Sequence, residues 1–413
     1  MQTGTASIRF ERPPRILQAA SVVGPKEAEG PFGALFDEID PDGKCGQDNW
    51  EQAESELQKR AVKKVIEKAH LLPKQIRYVF AGDLLGQCIA SSFGISELNC
   101  PTIGMYGACS TMGLTLSTGA MFVNAGYADH VLCVTSSHYA SAERQFRFPS
   151  DYGNQRPLSA EWTVTGSGAV VLESVQTHTT TQLDIPLAKI TGVTTGKIVD
   201  YGITDSMNMG AAMAPAACDT IVQHFEDFKT KPSDYDKIIT GDLSQIGSKL
   251  LIDLLREKKI DISDRHMDCG LEIFERKEQD VHAGGSGCGC SAVILAAYIL
   301  PQIQKKIWKR VLFVPTGALL SKISFNEGAS IPGIAHAVVI EALDSFDERF
   351  EKKQKAMSLA EGGKSCRNIY CICSRWHDLC AFTASDGQDK ADARSNHGYS
   401  CGYRSSFRCI RHL

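Results

Sequence analysis

The sequence predicts an α/β protein, a five-layered α/β/α/β/α sandwich of two duplicated halves. Three observations carry this. The chain repeats itself in order: Pro73-Lys-Gln-Ile-Arg-Tyr-Val-Phe-Ala-Gly82-Asp83-Leu84 returns as Pro232-Ser-Asp-Tyr-Asp-Lys-Ile-Ile-Thr-Gly241-Asp242-Leu243, His130-Val-Leu-Cys-Val returns as Arg310-Val-Leu-Phe-Val, and Gly168-Ala-Val-Val-Leu-Glu173 returns as His336-Ala-Val-Val-Ile-Glu341. Kept order with altered loop lengths marks a duplication. An amphipathic helix precedes the first strand of each copy, with Leu57, Ala61, Val65 and Ala69 on one stripe and Ala217, Ile221 and Phe225 on the other. The strands that follow, 78–81 and 238–240, are continuously apolar rather than alternating, as in a sheet covered by helices on both faces.

The repeat divides the chain into an N-terminal half at 1–175, a C-terminal half at 176–343 and a tail at 344–413 that neither half explains. The 413 residues are 43% hydrophobic and 22% charged, which excludes a disordered or fibrous chain. A net charge of -4 gives no basic excess for a nucleic-acid backbone, so nucleic acid is not an expected partner. The first thirty residues carry no apolar run of the secretory kind, and the segments 103–128 and 288–300 read as buried helices rather than membrane spans. A cytosolic location is expected. Of fifteen cysteines, nine are scattered over the first 344 residues, as reduced core residues are, and six crowd the last 48.

In chain order, the first strand of the repeat ends in Gly82-Asp83-Leu84, and Met105-Tyr-Gly-Ala-Cys109-Ser110-Thr-Met-Gly113 then leads into a helix of small residues. A cysteine on such a tight strand-to-helix turn is a nucleophile candidate, because backbone N–H groups and the helix dipole favour a thiolate there. The strand at 132–134 runs into Ser137, His138, Arg144 and Arg147. In the second half, Asp242 is the repeat's counterpart of Asp83, and Gly284-Gly-Ser286-Gly-Cys288 stands where the first half has Cys109. The repeat places Asp83 and Asp242 at strand ends on the same face as Cys109, where ligands of open α/β sheets collect. No metal site is expected, since Cys288-Gly-Cys290 lacks both the zinc spacing and a second pair.

Two α/β halves with a cysteine elbow resemble the thiolase and ketoacyl synthase superfamily. A narrower resemblance, to the stage V sporulation protein AD family of spore-forming bacteria, covers about residues 8 to 342. It is carried by Val23-Gly-Pro-Lys-Glu-Ala-Glu-Gly-Pro31, Ala81-Gly-Asp-Leu-Leu85, Gly107-Ala-Cys-Ser-Thr111, Thr135-Ser-Ser-His-Tyr-Ala-Ser-Ala-Glu-Arg-Gln-Phe-Arg147, Gly202-Ile-Thr-Asp-Ser206, Met209-Gly-Ala-Ala-Met-Ala-Pro215, Gly241-Asp-Leu-Ser244 and Ala283-Gly-Gly-Ser-Gly-Cys288. The resemblance implies a thiolase-like fold, a role in sporulation, and binding of dipicolinic acid (pyridine-2,6-dicarboxylate) during its uptake into the developing spore. It also implies SpoVA membrane proteins as partners, a homodimer, and a place on the cytoplasmic side of, or peripheral to, the spore inner membrane. No cofactor is expected.

A condensing enzyme surrounds its thiol with histidine or asparagine donors. Where a ketoacyl synthase has its first histidine, this chain has Gly241-Asp242-Leu243, and where it has asparagine, Gly284-Gly-Ser286. The expected function is therefore ligand binding without catalysis. The alternatives are a Cys109-dependent acyltransferase and a scaffold for membrane partners. The expected ligand site combines Cys109, the hydroxyls of Ser110, Ser137 and Ser286, and a rim of Asp83 and Asp242. His138, Arg144 and Arg147 join it, the arginines holding the dicarboxylate, unless calcium enters with the ligand and meets the two aspartates. The tail is expected to lack a stable fold. Codons compatible with residues 369–380, read one base later, spell an apolar membrane-helix pattern, so a frameshift origin stands beside a zinc appendage built on Cys366, Cys371, Cys373, His377 and Cys380.

Overall fold

The computed structural model describes residues 1–146, 156–176 and 186–344. Arg147 and the tail beyond Asp344 lie outside the described residues. The strands that build the core are Arg15–Val23 (β1), Tyr78–Gly82 (β2), Thr102–Gly104 (β3), His130–Ser137 (β4), Gly166–Glu173 (β5), Ala188–Thr195 (β6), Lys237–Thr240 (β7), His266–Asp268 (β8), Arg310–Val314 (β9) and Gly333–Glu341 (β10). The helices that bear on the site are Trp50–Lys68 (α1), Thr111–Asn124 (α2), Tyr139–Phe146 (α3), Met209–Phe228 (α4), Ser244–Glu257 (α5) and Cys288–Ile294 (α6).

The duplication is visible in the sheet order. The first five strands run β3-β2-β4-β5-β1 and the second five β8-β7-β9-β10-β6, the same order shifted by five. Directions match as well: β2 is parallel to β3 and β4 while β4, β5 and β1 alternate, and β7 is parallel to β8 and β9 while β9, β10 and β6 alternate. The two sets join edge to edge through Arg15 and Ile16 of β1 against Lys189 and Ala188 of β6.

Local signals explain the outer helices. Asn49 accepts a hydrogen bond from the Gln52 N–H at 2.9 Å, a cap that contributes about 1 kcal/mol. The predicted stripe then buries Leu57, Ala61 and Val65 against Val79, Ala81, Leu132 and Val134 on the outer face of the first sheet. On the opposite outer face, Ala217, Ile221 and Phe225 of α4 pack with Leu251 and Leu255 of α5 over Ile238, Leu312 and Val339. The middle layer holds Met112, Leu116 and Ala120 of α2 with Val293 of α6, between Phe80, Val131 and Val170 of one sheet and Ile239, Phe313 and Val338 of the other. Neighbouring strand residues such as Val79 and Phe80, or Ile238 and Ile239, thus serve different layers, because side chains alternate across a strand. The middle layer needs close approach: a Cβ on Gly168 of β5 would lie 2.5 Å from the Ala292 carbonyl of α6. Among the described residues no helix is long and apolar enough to cross a membrane.

Candidate functional site

Cys109 occupies the turn between β3 and α2, and that turn is held from within. Ala108 takes a φ of +48°, a left-handed conformation that costs a side-chain-bearing residue free energy. Ser110 Oγ donates to the Gly107 carbonyl at 2.6 Å and Thr111 Oγ1 to the Ala108 carbonyl at 2.6 Å. Thr111 Oγ1 also accepts from the Gly107 N–H at 3.1 Å, and the Ser110 and Thr111 N–H groups return to Gly107 and Ala108. These N–H groups, expected from sequence to favour a thiolate, are spent on building the elbow.

The second half closes over the thiol. Gly287, at φ +102°, opens α6 and lets the turn at 284–287 pass beside Cys109. Ser286 Oγ lies 3.9 Å from Cys109 Sγ. Behind it sits Asp242, fully buried at the end of β7. Its Oδ2 accepts from the Gly287 N–H at 3.0 Å and Ser286 Oγ at 3.2 Å, and its Oδ1 from Thr316 Oγ1 at 2.8 Å. Burial pushes the Asp242 carboxyl up to about 6, against the pull of these donors. Burial first, and then the Asp242 charge, pushes the Cys109 thiol well above its ordinary value. Both effects oppose formation of a thiolate.

The space in front of Cys109 is a narrow cleft of about 50 Å³, lined by Leu84, Tyr106, Ala108, Cys109, Ala142, Glu143, Phe146, Thr163, Met209, Ser286, Ala318 and Leu320. No His, Lys or Arg stands among these described lining residues. Tyr106, Phe146 and Leu320 also wall an apolar depression of about 440 Å³, completed by Leu85, Leu319, Ile323 and their neighbours.

This geometry, a half-buried thiol between a serine and an aspartate at the junction of two duplicated halves, can be set beside known proteins. Residues 4–341 match the family described as Stage V sporulation protein AD. The Stage V sporulation protein AD of Bacillus subtilis (strain 168) is 45% identical over 339 residues, which are 82% of this chain and 97% of that protein. The chain belongs to the stage V sporulation protein AD family. Among solved structures, a single-substitution variant of the OleA protein of Xanthomonas campestris is 13% identical with a TM-score of 0.51, covering 81% of this chain and 99% of its own. The cerulenin-bound OleA of the same organism, also 13% identical, has a TM-score of 0.51 and covers 80% and 100%. At such identity the likeness shows the fold, which is thiolase-like, and nothing of the chemistry.

In this stage V sporulation protein AD family member, the residues singled out from sequence are not gathered in one place. Cys109 and Ser286 line the cleft, with Asp242 directly behind them rather than on its rim. Asp83 closes its own turn: it accepts from the Leu85 N–H at 2.8 Å, the Ser91 N–H at 2.8 Å and Ser91 Oγ at 2.6 Å, and it is fully buried. Ser110 is spent on the elbow, and Ser137 Oγ donates to the Val164 carbonyl at 2.7 Å while accepting from the Gly289 N–H at 3.1 Å. His138 is turned to the outer layer, its Nε2 2.8 Å from the Gly43 carbonyl and its Nδ1 accepting from the Ala140 N–H. Burial lowers its pKa. Arg144 is exposed and pairs with Glu51 at 3.4 Å over a different depression, bounded by Asn49, Ile89 and Phe93. Arg147 lies outside the described residues.

Of the cleft residues missed from sequence, Tyr106, Glu143, Phe146 and Met209 fall inside or directly beside the blocks that carry the family resemblance, whereas Thr163, Ala318 and Leu320 lie outside them. Membership of those blocks was the available signal for the former. None of the four carries the positive charge that suits a dicarboxylate.

Proposed function

We propose that this sporulation protein is a non-catalytic binder of dipicolinate, acting in its uptake into the developing spore. The observation that carries the reading is the environment of Cys109. The two positions where a condensing enzyme has its polar donors do converge on the thiol, and they bring Asp242 and Ser286. An anionic neighbour raises the thiol pKa and supplies no donor for a developing oxyanion, so the pocket is kept while the chemistry is lost.

The lining also selects the form of the ligand. A bare dianion entering the cleft meets Glu143 and no cation among the described lining residues, and the adjoining depression adds one lysine, Lys322, among its described lining. The 1:1 calcium chelate of dipicolinate is neutral, and the ligand itself contributes a ring nitrogen and two carboxylate oxygens to the metal, leaving about three to five positions to be shared by protein and water. Glu143 and the Ser286 hydroxyl supply oxygen at the cleft, and Tyr106 and Phe146 flank a planar ring. In this reading Arg144, which faces Glu51, takes no part in holding the ligand, and Arg147 lies outside the described residues. At about 50 Å³ the cleft must widen toward the adjoining depression to admit the ligand, because sites for small organic molecules run to about 300 Å³ or more. In the same reading the protein works as a homodimer peripheral to the spore inner membrane, passing its cargo to SpoVA membrane proteins.

Calorimetric titration with dipicolinate, with and without equimolar calcium, tests this. Saturable binding that needs calcium and disappears in Glu143→Gln or Cys109→Trp is expected. Turnover of an acyl thioester that vanishes in Cys109→Ser would replace this reading with a condensing enzyme, and no binding in either titration would leave the scaffold.

A further inference from the structure

Trp162 directly precedes the cleft residue Thr163 and, by strand alternation, points away from it. Tyr139 stacks on its ring, with centroids 3.8 Å apart and planes within 5° of parallel. Two cations sit over the same indole: Lys26 Nζ is 4.3 Å from the ring centroid and the Arg156 guanidinium carbon is 4.8 Å from it. With Tyr139 covering one face in parallel contact, the two cations share the other.

Each cation is anchored. Lys26 Nζ donates to the Gln279 carbonyl at 2.5 Å and Gln279 Nε2 returns to the Lys26 carbonyl at 2.7 Å. Arg156 Nη2 donates to the Asp280 carbonyl at 2.8 Å and to its carboxylate at 3.2 Å. The Arg156 side chain is only 9% exposed, and its buried Nη1 has no hydrogen-bond partner among the described residues. The acids nearby are poor compensation: Asp280 is 77% exposed, and Glu27 is buried with one oxygen on the Thr165 N–H at 2.9 Å. Burial, opposed by the Glu27 charge and reinforced by the Arg156 charge, holds the Lys26 ammonium below its ordinary pKa.

We propose that Lys26 and Arg156, placed over Trp162, form a binding site for a carboxylate or phosphate oxyanion. Two like charges over one ring repel, and a buried guanidinium N–H without a partner is costly. One oxyanion relieves both. With Nη2 committed to Asp280, Nη1 offers its N–H groups to one oxygen and the ammonium a point charge to a second, while the indole face excludes water from one side. The site shares no lining residue with the Cys109 cleft and does not depend on the function proposed for it.

The test is calorimetric titration of the full-length protein at constant ionic strength, once with inorganic phosphate and once with pyridine-2,6-dicarboxylate, in the wild type, Arg156→Lys, Lys26→Gln and Cys109→Trp. Saturable binding of at least one anion is expected, retained in Cys109→Trp and weakened at least tenfold by Arg156→Lys and by Lys26→Gln. Arg156→Lys keeps the charge and removes the Nη1 donor, so its loss reports recognition rather than net charge. The anion that binds decides between a phosphate and a carboxylate site. Saturation by neither anion, or affinity unchanged in Lys26→Gln, overturns the proposal, and Lys26→Gln decides alone if Arg156→Lys loses its circular dichroism. Dicarboxylate binding abolished by Cys109→Trp, with no phosphate binding that Lys26→Gln weakens, would leave the cleft as the anion's place and also overturn it.

Discussion

Asp242 Oδ2 accepts a hydrogen bond from the backbone N–H of Gly287 at 3.0 Å, so a carboxylate at the end of one strand holds the glycine turn that faces Cys109. The same carboxylate takes the hydroxyls of Ser286 and Thr316. It therefore fixes the second-half wall of the cleft rather than meeting a ligand.

Replacing Asp242 should unfold that wall. Asp242→Ala strands three buried donors, each costing about 1–3 kcal/mol when unsatisfied, so a loss of about 3 kcal/mol or more is expected in urea denaturation. Asp242→Asn keeps one acceptor oxygen and should lose less. Equal stability of the wild type and Asp242→Ala would show that the turn holds itself.

The thiol should be slow to react. With its pKa pushed well above the ordinary value by burial and then by Asp242, Cys109 is almost wholly protonated at neutral pH. Alkylation by iodoacetamide, followed by mass spectrometry, is expected to lag a free cysteine at pH 7.5 and to speed up in the folded Asp242→Asn protein. A wild-type rate matching a free thiol would contradict the geometry.

Stability should rise as pH falls from about 8 to about 6.5. Burial, reinforced by Asp83, raises the Glu54 carboxyl to about 8, and burial raises Glu27 and Asp268 to about 7. An acid raised in the folded state binds its proton there while the unfolded chain stays ionised, so ΔG of unfolding decreases as pH rises through that window. Below about 6.5 the buried His224, His266 and His336, whose pKa values burial lowers to about 3, 4 and 4, bind protons only in the unfolded chain and flatten the slope. Glu54→Gln should flatten the upper part of the curve. An unchanged slope in that variant would show that Glu54 does not titrate there.

Arg144→Ala should change neither dipicolinate affinity nor, beyond about 0.5 kcal/mol, stability, because an exposed ion pair contributes little. Calorimetry and thermal melting check both, and a tenfold loss of affinity would return the arginine clamp.

Truncation after Asp344 should leave the melting temperature unchanged. The last core strand, β10, ends at Glu341 and completes the second set of five. A large fall on truncation would mean that the tail belongs to the fold.

The amino-acid sequence by itself determined the duplication, the outer helices, the buried strands and the cysteine elbow. Those features follow from periodicity and from residue identity at positions related by the repeat, which are local or translational properties of a chain. Which polar groups face the cleft was decided only by tertiary structure. On α3, Ala142 and Phe146 share the face that meets Cys109, and Arg144, roughly half a turn round the helix, is carried to Glu51 instead. Asp83 and Asp242 stand at equivalent places in the repeat, yet Asp83 closes on Leu85 and Ser91 of its own loop while Asp242 reaches across to Gly287. Loop side chains have no period to read. Their directions are set by the backbone donors that packing brings within reach, and those come from segments far apart in the chain.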